Sequence, residues 1–207
     1  MVTKYLEGSA NNKAIEITNK TGHSVSLSDY RLSIQLPSGT NYYFPAPFEL
    51  EGTVQNNETF VILNPEANFS CFNINQAKFV TAAPQMTFSG SQYLELRYKS
   101  TTVDAIGVTG TNNSSSLGNV SLYRKTTINN PTTTFSISEW DSYASNYCQN
   151  LGTLAISEAE LSAGKEFKIY PNPVNENIFV SGKTENIQTA QIVDYSGQLI
   201  YTEKNPF

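Results

Sequence analysis

Alternating apolar and polar residues between positions 14 and 36 constrain the fold of this chain more than any other feature. Ile15 and Ile17 alternate with Glu16 and Thr18, which is the two-residue period of a β-strand with one buried face. After turn chemistry at residues 19–22, the apolar positions resume at Val25, Leu27, Tyr30, Leu32, Ile34 and Leu36. The stretch predicts an antiparallel β-meander with Ile15 and Ile17 in the core and Glu16 pointing outward.

Composition extends this prediction to the whole chain of 207 residues. Aromatic residues make up 12% of it, whereas charged residues make up only 15%. Aromatic and hydroxyl-bearing side chains suit a pleated sheet, and long amphipathic helices need more charged residues for their wet faces. The apolar run 60–63 predicts a central strand covered on both faces, and residues 67–75 leave room for a short helix.

A hairpin is predicted from residues 93–99 paired with 102–108. The first strand alternates cleanly, with Leu94, Leu96 and Tyr98 expected inward. The intervening positions, Glu95, Arg97 and Lys99, are expected on the outer face.

The opening strands also resemble those of a known family. Residues 7–22 read EGS-x-NNK-x-IEI-x-N-x-TG and residues 25–32 read V-x-LS-x-Y-x-L, which is similar to the start of bacterial lamin-tail domains. The segments DAIG (104–107) and SLYRK (121–125), and the single tryptophan, Trp140, stand where that family tends to place them. The resemblance implies an all-β, immunoglobulin-like β-sandwich over residues 1–152 that binds or anchors. Trp140 is expected to pack within the sheets.

The C-terminal residues resemble a second family. Two prolines stop a strand at the motif Tyr170, Pro171, Asn172 and Pro173, and an apolar strand at 178–181 and a hairpin around 196–197 follow. This order resembles the opening half of the C-terminal sorting domain of the type IX secretion system of Bacteroidetes. The family's second half, with its G-x-Y strand and basic tail, does not follow. We therefore expect a linker at 153–166 and a short, incomplete sorting domain at 167–207.

The sorting resemblance implies a partner and a location. The type IX secretion machinery would recognise the segment, and the protein would be extracellular or attached to the outer cell surface. No apolar run approaches the roughly 18 residues of a membrane span, so no transmembrane segment is expected. The first residues lack the apolar region of a signal peptide, which favours an internal piece of a longer secreted chain.

The charge and the cysteine content of the chain restrict which classes of partner can be expected. The net charge is −5 and the basic residues are scattered, whereas nucleic-acid binding needs clustered Lys and Arg. Direct nucleic-acid binding is therefore not expected. Cys71 and Cys148 lack the spacing of a zinc site, and a single histidine cannot complete one. They form a disulfide in an oxidising compartment or are two unrelated buried thiols, and the sequence leaves both readings open.

No catalytic or metal motif is evident. His23 lies in a predicted turn with no visible base partner or nucleophile. Glu7 and Glu16 could face each other across neighbouring strands as a carboxylate pair, although such pairs are more often solvated sheet surface. Catalysis is not expected. Calcium is the one cofactor for which the sequence offers ligands. Oxygen-rich loops at 110–119, or Glu7 with Asn11 and Asn12, could supply calcium ligands.

Two hypotheses from different classes follow. The first is a non-catalytic interaction or anchoring module of a secreted or surface-attached Bacteroidetes protein, with a protein, envelope or polysaccharide ligand at loops 8–12, 55–57 and 110–118. The candidate ligand-facing residues are Glu7, Ser9, Asn11, Asn12 and Lys13. The second is a carboxylate-based hydrolase, or the accessory part of a secreted nuclease or phosphatase whose catalytic domain lies outside this chain. A spacer between domains is a third reading.

Overall fold

Two β-sheets face each other across the core of the N-terminal unit. Sheet 1 has six strands in the spatial order Trp140–Ala144 (β13), Val120–Arg124 (β12), Val2–Glu7 (β1), Lys13–Thr18 (β2), Thr59–Leu63 (β8) and Phe79–Val80 (β9). Neighbours in it run antiparallel, except β8 and β9, which run parallel.

Sheet 2 is built around the longest strand. Its spatial order is Thr101–Ile106 (β11), Tyr93–Tyr98 (β10), Tyr30–Ser38 (β4) and Asn41–Tyr43 (β5), and β4 also pairs with Phe48–Glu49 (β6). The prediction of an all-β sandwich is confirmed, and β10 and β11 form the predicted hairpin.

Short elements connect the sheets. Val25–Ser26 (β3) and Thr53–Val54 (β7) form a small ribbon, and Ser114–Leu117 (α1) is a single helical turn. The 3-10 turns are Leu27–Asp29, Ile74–Gln76, Pro84–Met86 and Ile137–Glu139. The predicted helix at 67–75 is therefore wrong apart from its last residues, which enter the turn Ile74–Gln76.

This computed structural model describes residues 1–153, 168–170, 179–181, 189–193 and 199–204. The chain divides into two compact units, Met1–Ala155 and Ile156–Phe207. In the second, Lys168–Tyr170 (β14) pairs with Phe179–Ser181 (β15), and Thr189–Val193 (β16) pairs with Leu199–Lys204 (β17), all antiparallel. The predicted linker beyond residue 153 and the motif residues Pro171, Asn172 and Pro173 lie outside the described residues.

The core between the sheets follows from the alternation in the sequence. Leu32 and Ile34 of β4 pack with Leu94 and Leu96 of β10, and the opposite wall comes from sheet 1, including Ile15. Because each fully buried Leu or Ile contributes about 1.5–3 kcal/mol, these positions dominate the stability of the sandwich.

A second apolar layer covers the outer face of sheet 1. Leu6 and Val61 of the sheet pack under Phe69, Cys148 and Leu151. Cys71 and Cys148 form a disulfide, with their Cα atoms 5.8 Å apart, so the two covering segments are joined covalently. This resolves the open cysteine question in favour of the disulfide. The cover over sheet 1 also confirms that the strand at 60–63 is buried on both faces.

The burial of three side chains differs from the sequence prediction, although Glu16 and Glu95 lie on the outer faces of their strands as predicted. Glu16 is buried because the cover over sheet 1 leaves no exposed face on β2. Glu95 is also buried, and Tyr93 and Thr102 donate hydrogen bonds to its carboxylate. Tyr98, expected inward, is 38% exposed at the end of β10, where it meets Tyr30. Alternation gives the face on which a side chain lies but not what covers that face, so it cannot report this burial.

One buried ion pair joins the two sheets. Asp104 belongs to β11 of sheet 2 and Arg124 to β12 of sheet 1, and two parallel hydrogen bonds connect them, Nη1 to Oδ2 at 3.0 Å and Nη2 to Oδ1 at 2.9 Å. Asp104 also accepts the backbone N–H groups of Val2 at 2.7 Å and Thr132 at 3.3 Å. The Arg124 guanidinium lies 4.6 Å from the centroid of Trp140, which packs in the core as predicted.

Asp104→Asn should destabilise the sandwich strongly. The substitution leaves the Arg124 guanidinium buried without a counter-charge, which costs about 3–5 kcal/mol. Urea unfolding followed by the fluorescence of Trp140, the one tryptophan of the chain, measures the change in unfolding free energy. The exposed Asp141 of β13 provides the control, since Asp141→Asn should change stability by only about 0.5 kcal/mol. Equal effects of the two substitutions would contradict the role given to Asp104.

Candidate binding surface

The loop at 8–12, which the sequence singled out, is closed by a buried ion pair beneath it. Lys13 Nζ donates to Glu7 Oε1 at 2.6 Å and to the Gly8 carbonyl at 2.5 Å, and both charged side chains are buried. The other Glu7 oxygen accepts the Asn119 backbone N–H. Glu7 and Lys13, two of the candidate ligand-facing residues, are therefore buried as a pair whose charges hold the loop to the sheet.

The three polar residues of this loop bind neighbouring segments. The Ser9 N–H and Asn12 Nδ2 both donate to Oδ1 of Asn146, at 3.0 and 2.9 Å, and Asn11 Nδ2 donates to Glu66. Ser9 and Asn11 are exposed, whereas Asn12 is half-buried. These contacts fasten the loop, so its exposed atoms do not converge on a common ligand position.

The predicted ligand loops are not all at one end of the sandwich. The strand registers place Glu7 opposite Lys13 and opposite Val120, so loops 8–12 and 110–118 lie at the same end. Thr18 pairs with Thr59, so the loop at 55–57 lies at the other end. A single ligand site built from all three loops is excluded by this topology.

Glu7 and Glu16 do not form a carboxylate pair. Each faces a lysine across β1 and β2, and Lys4 Nζ donates to Glu16 Oε2 at 2.6 Å. Glu16 also accepts from Thr3 Oγ1 at 2.7 Å and from the Gly152 N–H at 2.8 Å. Burial raises the pKa of Glu16 and lowers the pKa of Lys4, so desolvation outweighs the attraction between the two charges.

Neither histidine nor metal chemistry has a built site in the described part of the chain. His23 is exposed in its turn, as predicted, and its carbonyl accepts from Asn19 Nδ2 at 2.8 Å. Among the residues that the structure describes, no group of three or more His, Cys, Asp or Glu side chains is arranged to hold a metal ion. Of the predicted calcium ligands, Glu7 has both oxygens bound to protein donors.

Two cavities differ in what they offer a ligand. One, of about 170 Å³, is lined mainly by core side chains such as Ile17, Leu27 and Phe60, and Lys20 is the single charged side chain in its described lining. The other is an open cleft of about 440 Å³ on the outer face of sheet 2. Because a few placed polar groups distinguish binding sites from packing voids, the open cleft is the stronger candidate.

We call this cleft the outer groove. It is lined by Arg31, Ser33, Phe44, Pro45, Pro47, Arg97, Lys99 and Ser100. Three of these residues are cations, and no described residue of the lining is acidic. Glu49 and Glu95 pair with two of these cations from outside the lining, so three positive and two negative charges leave a net charge of +1 here, on a chain whose net charge is −5.

Strand register builds the floor of the outer groove. Arg31 of β4 stands directly opposite Arg97 of β10, and Ser33 stands opposite Glu95. Like charges in directly opposed positions destabilise a sheet. Two carboxylates offset this repulsion from the sides, with Glu49 Oε1 3.4 Å from Arg31 Nη1 and Glu95 Oε1 3.2 Å from Arg97 Nη1.

Arg97 points into the outer groove because it alternates with the core residue Leu96 along β10, and a β-bulge lies beside it in β11. The pairing of β10 with β11 shifts between Leu96, which faces Asp104, and Arg97, which faces Thr102. The extra residue is Val103 of β11, so the bulge bends β11 and leaves the pairing of β10 with β4 regular. The shift begins at Asp104, so the ion pair between the sheets and the groove cation are set by adjacent positions of one hairpin.

The apolar wall and the cations of the outer groove are connected. Phe44 packs edge-on against Tyr93, with ring centroids 6.2 Å apart. The Tyr93 hydroxyl donates to Glu95 at 3.1 Å, and Glu95 in turn accepts from Arg97. Burial, and next the Glu95 charge, raise the pKa of Tyr93, which keeps this hydroxyl a donor. The wall and the cations are thus pre-organised.

Lys99 adds the third cation from a tight turn. Its backbone φ is 53°, in the left-handed region that residues other than glycine seldom adopt. Its N–H donates to the Asp29 carbonyl at 2.6 Å. Its Nζ lies 5.3 Å from the Tyr98 ring centroid. The sequence had shown Arg97 and Lys99 close together, but not Arg31 beside them, because that contact depends on strand register.

Comparison with known proteins concerns the C-terminal unit. Residues 168–206 match the family model of the secretion system C-terminal sorting domain, which confirms the predicted sorting segment. The match indicates a secreted or surface protein of the Bacteroidetes type IX system. No curated protein matches the chain. The comparisons do not show the lamin-tail resemblance, which stays a prediction. In the described part of the chain, no helix is long and apolar enough to cross a membrane.

Lys4→Met should cost about 3–5 kcal/mol of unfolding free energy at pH 7, because it leaves Glu16 buried and charged. Lys4→Met/Glu16→Leu should instead match the wild type or exceed it by about 1–4 kcal/mol. The folded pKa of Glu16 is raised, so its protonation favours the folded state. The deficit of Lys4→Met relative to the double variant should therefore shrink as pH falls from 7 toward the unfolded pKa of Glu.

Urea unfolding at a series of pH values measures this deficit, and the double variant corrects for every other titrating group. A deficit that does not change with pH would contradict the raised pKa of Glu16 in the folded state. A double variant as unstable as the single one would contradict the dominance of desolvation.

Proposed function

We propose that the N-terminal unit is a non-catalytic interaction module, an immunoglobulin-like sandwich of the lamin-tail type, that binds its ligand at the outer groove. The observation that carries this proposal is the convergence of Arg31, Arg97 and Lys99 on one open cleft whose described lining contains no acidic residue. Pre-placed polar groups beside an apolar wall are typical of binding sites, and Phe44 supplies that wall.

The sorting segment supports an extracellular setting for this binding. Its match to the secretion system sorting domain indicates secretion and outer-surface attachment. In that setting the sandwich would meet envelope components and extracellular polymers. The disulfide between Cys71 and Cys148 suits an oxidising compartment. The module would therefore anchor its parent protein, or hold it near a target, outside the cell.

The bonding of the buried carboxylates supports a role without chemistry. A carboxylate acid or base needs a free oxygen within hydrogen-bond reach of a substrate. Both oxygens of Glu7 and both of Glu16 accept hydrogen bonds from this chain. The alternative of a carboxylate hydrolase would require these buried networks to open before any substrate could bind.

The full chain should bind isolated Bacteroidetes envelope fragments in a sedimentation assay and should turn over no phosphodiester, glycoside or peptide substrate, with or without divalent metal. Arg31→Gln/Arg97→Gln removes two groove cations and should lower envelope binding by at least about tenfold, since charge-assisted hydrogen bonds are the stronger class.

Lys20→Gln/Lys125→Gln is the matched control, because it removes the same charge from residues outside the lining of the outer groove. The control should bind as the wild type does. Turnover that disappears in Glu7→Gln or Glu16→Gln would contradict the proposal and favour the hydrolase. Loss of envelope binding in both double variants alike would show a general charge effect and also contradict it.

A further inference from the structure

We infer that the ligand of the outer groove is an acidic polysaccharide, a polymer whose sugar rings carry carboxylates. This inference rests on the proposed binding function and names the class of ligand. Three independent features of the outer groove carry it: the sign of its charge, the donors of its guanidinium groups, and the flat apolar wall beside them.

The charge of the outer groove is local and opposite to that of the chain. Arg31, Arg97 and Lys99 line it, whereas the whole chain carries a net charge of −5. Glu49 and Glu95 pair with the two arginines, so the cleft keeps a net charge of +1 and favours an anionic ligand over a neutral one. A neutral polymer gains nothing from this arrangement.

The two guanidinium groups keep donors available for carboxylates. Each side chain is 32% exposed. Arg31 contacts one carboxylate, that of Glu49, at 3.4 Å, which is long for a charge-assisted hydrogen bond. Nε of both arginines is buried, so a ligand carboxylate would be bound by the Nη groups. Arg97 already uses one N–H of Nη1 toward Glu95 and one of Nη2 toward the Ser100 carbonyl, which leaves one N–H on each. Because guanidinium is a planar fork that fits a carboxylate, the opposed pair presents two neighbouring positions for anionic groups.

The rim of the outer groove is flat and apolar. Phe44 is 46% exposed, and Pro45 and Pro47 line the cleft beside it. Exposed aromatic rings continue along the same segment at Tyr42 and Tyr43. A sugar ring has apolar C–H faces and polar edges, so it can lie against an aromatic ring while its carboxylate points to a cation.

These features favour a uronic-acid polymer over an acidic peptide. The carboxylate of a uronic acid is attached directly to a rigid ring, so binding it immobilises few bonds. Glutamate loses rotamer freedom when its side chain is fixed, and it has no flat face for Phe44. The combination of cations with an aromatic wall is therefore best matched by an acidic polysaccharide.

Isothermal titration of the full chain with polygalacturonate tests the inference, with dextran as the neutral polymer and polyglutamate as the peptide polyanion. Polygalacturonate should bind, more weakly as salt is raised because the contacts are ionic. It should bind at least about tenfold more tightly than either comparison polymer. Arg31→Gln/Arg97→Gln should weaken it by about tenfold to hundredfold, and Lys20→Gln/Lys125→Gln should not.

Phe44→Ala isolates the apolar wall and should weaken polygalacturonate binding by about twofold to tenfold, in line with other aromatic contacts. Ile137→Ala is the matched control, because Ile137 is also 46% exposed and lies outside the outer groove. It should bind as the wild type does. Unchanged circular dichroism of each variant shows that the sandwich is folded.

Several results would overturn the inference while leaving the interaction module in place. Envelope binding without polygalacturonate binding would be one, and equal affinity for dextran would be another. Polyglutamate binding as tight as that of polygalacturonate, with no effect of Phe44→Ala, would assign the outer groove to an acidic peptide. Polygalacturonate binding that is indifferent to Arg31→Gln/Arg97→Gln would place the ligand elsewhere on the chain.

Discussion

The ion pair between Asp104 and Arg124 is the interaction on which the arrangement of the sandwich depends. It joins β11 of sheet 2 to β12 of sheet 1 through two hydrogen bonds within the core. Two unpaired buried charges would be costly, so the sheets are fixed at the one offset that brings these groups together. Arg97 directly follows Leu96, the residue of β10 that faces Asp104. The interior pair and the outer groove are therefore parts of one hairpin.

The outer face of sheet 1 is covered, whereas the outer face of sheet 2 carries an open cleft. This difference locates the binding surface. On sheet 1, segments joined by the disulfide Cys71–Cys148 cover the face, and the charges beneath, such as Lys4 and Glu16, become neutralised pairs. On sheet 2 the outer face carries an open cleft, where Arg31 and Arg97 retain partial exposure. Charges that are satisfied internally hold the fold together, whereas those with spare donors can take a ligand.

Local pattern predicted the strands, and long-range contacts decided the site. Alternation at Ile15 and Ile17 and in the 93–99 hairpin predicted β-strands, and the family resemblance implied their arrangement as a sandwich. The burial of Glu16 was missed because its cover includes Gly152, 136 residues away. The opposition of Arg31 and Arg97 needs the register of two distant strands, which periodicity does not contain. The sequence therefore directed attention to the exposed loop at 8–12, whose polar groups serve to fasten it.

The most direct test of the central claim is an amide NMR titration of the labelled full chain with a galacturonate oligomer. Binding at the outer groove should shift the amide signals of Arg31, Ser33 and residues 97–100, because these positions form its floor and one end. Signals of the loop at 8–12 should stay in place. Shifts confined to that loop, with the signals of Arg31 and Arg97 unchanged, would contradict the claim that sheet 2 carries the binding surface.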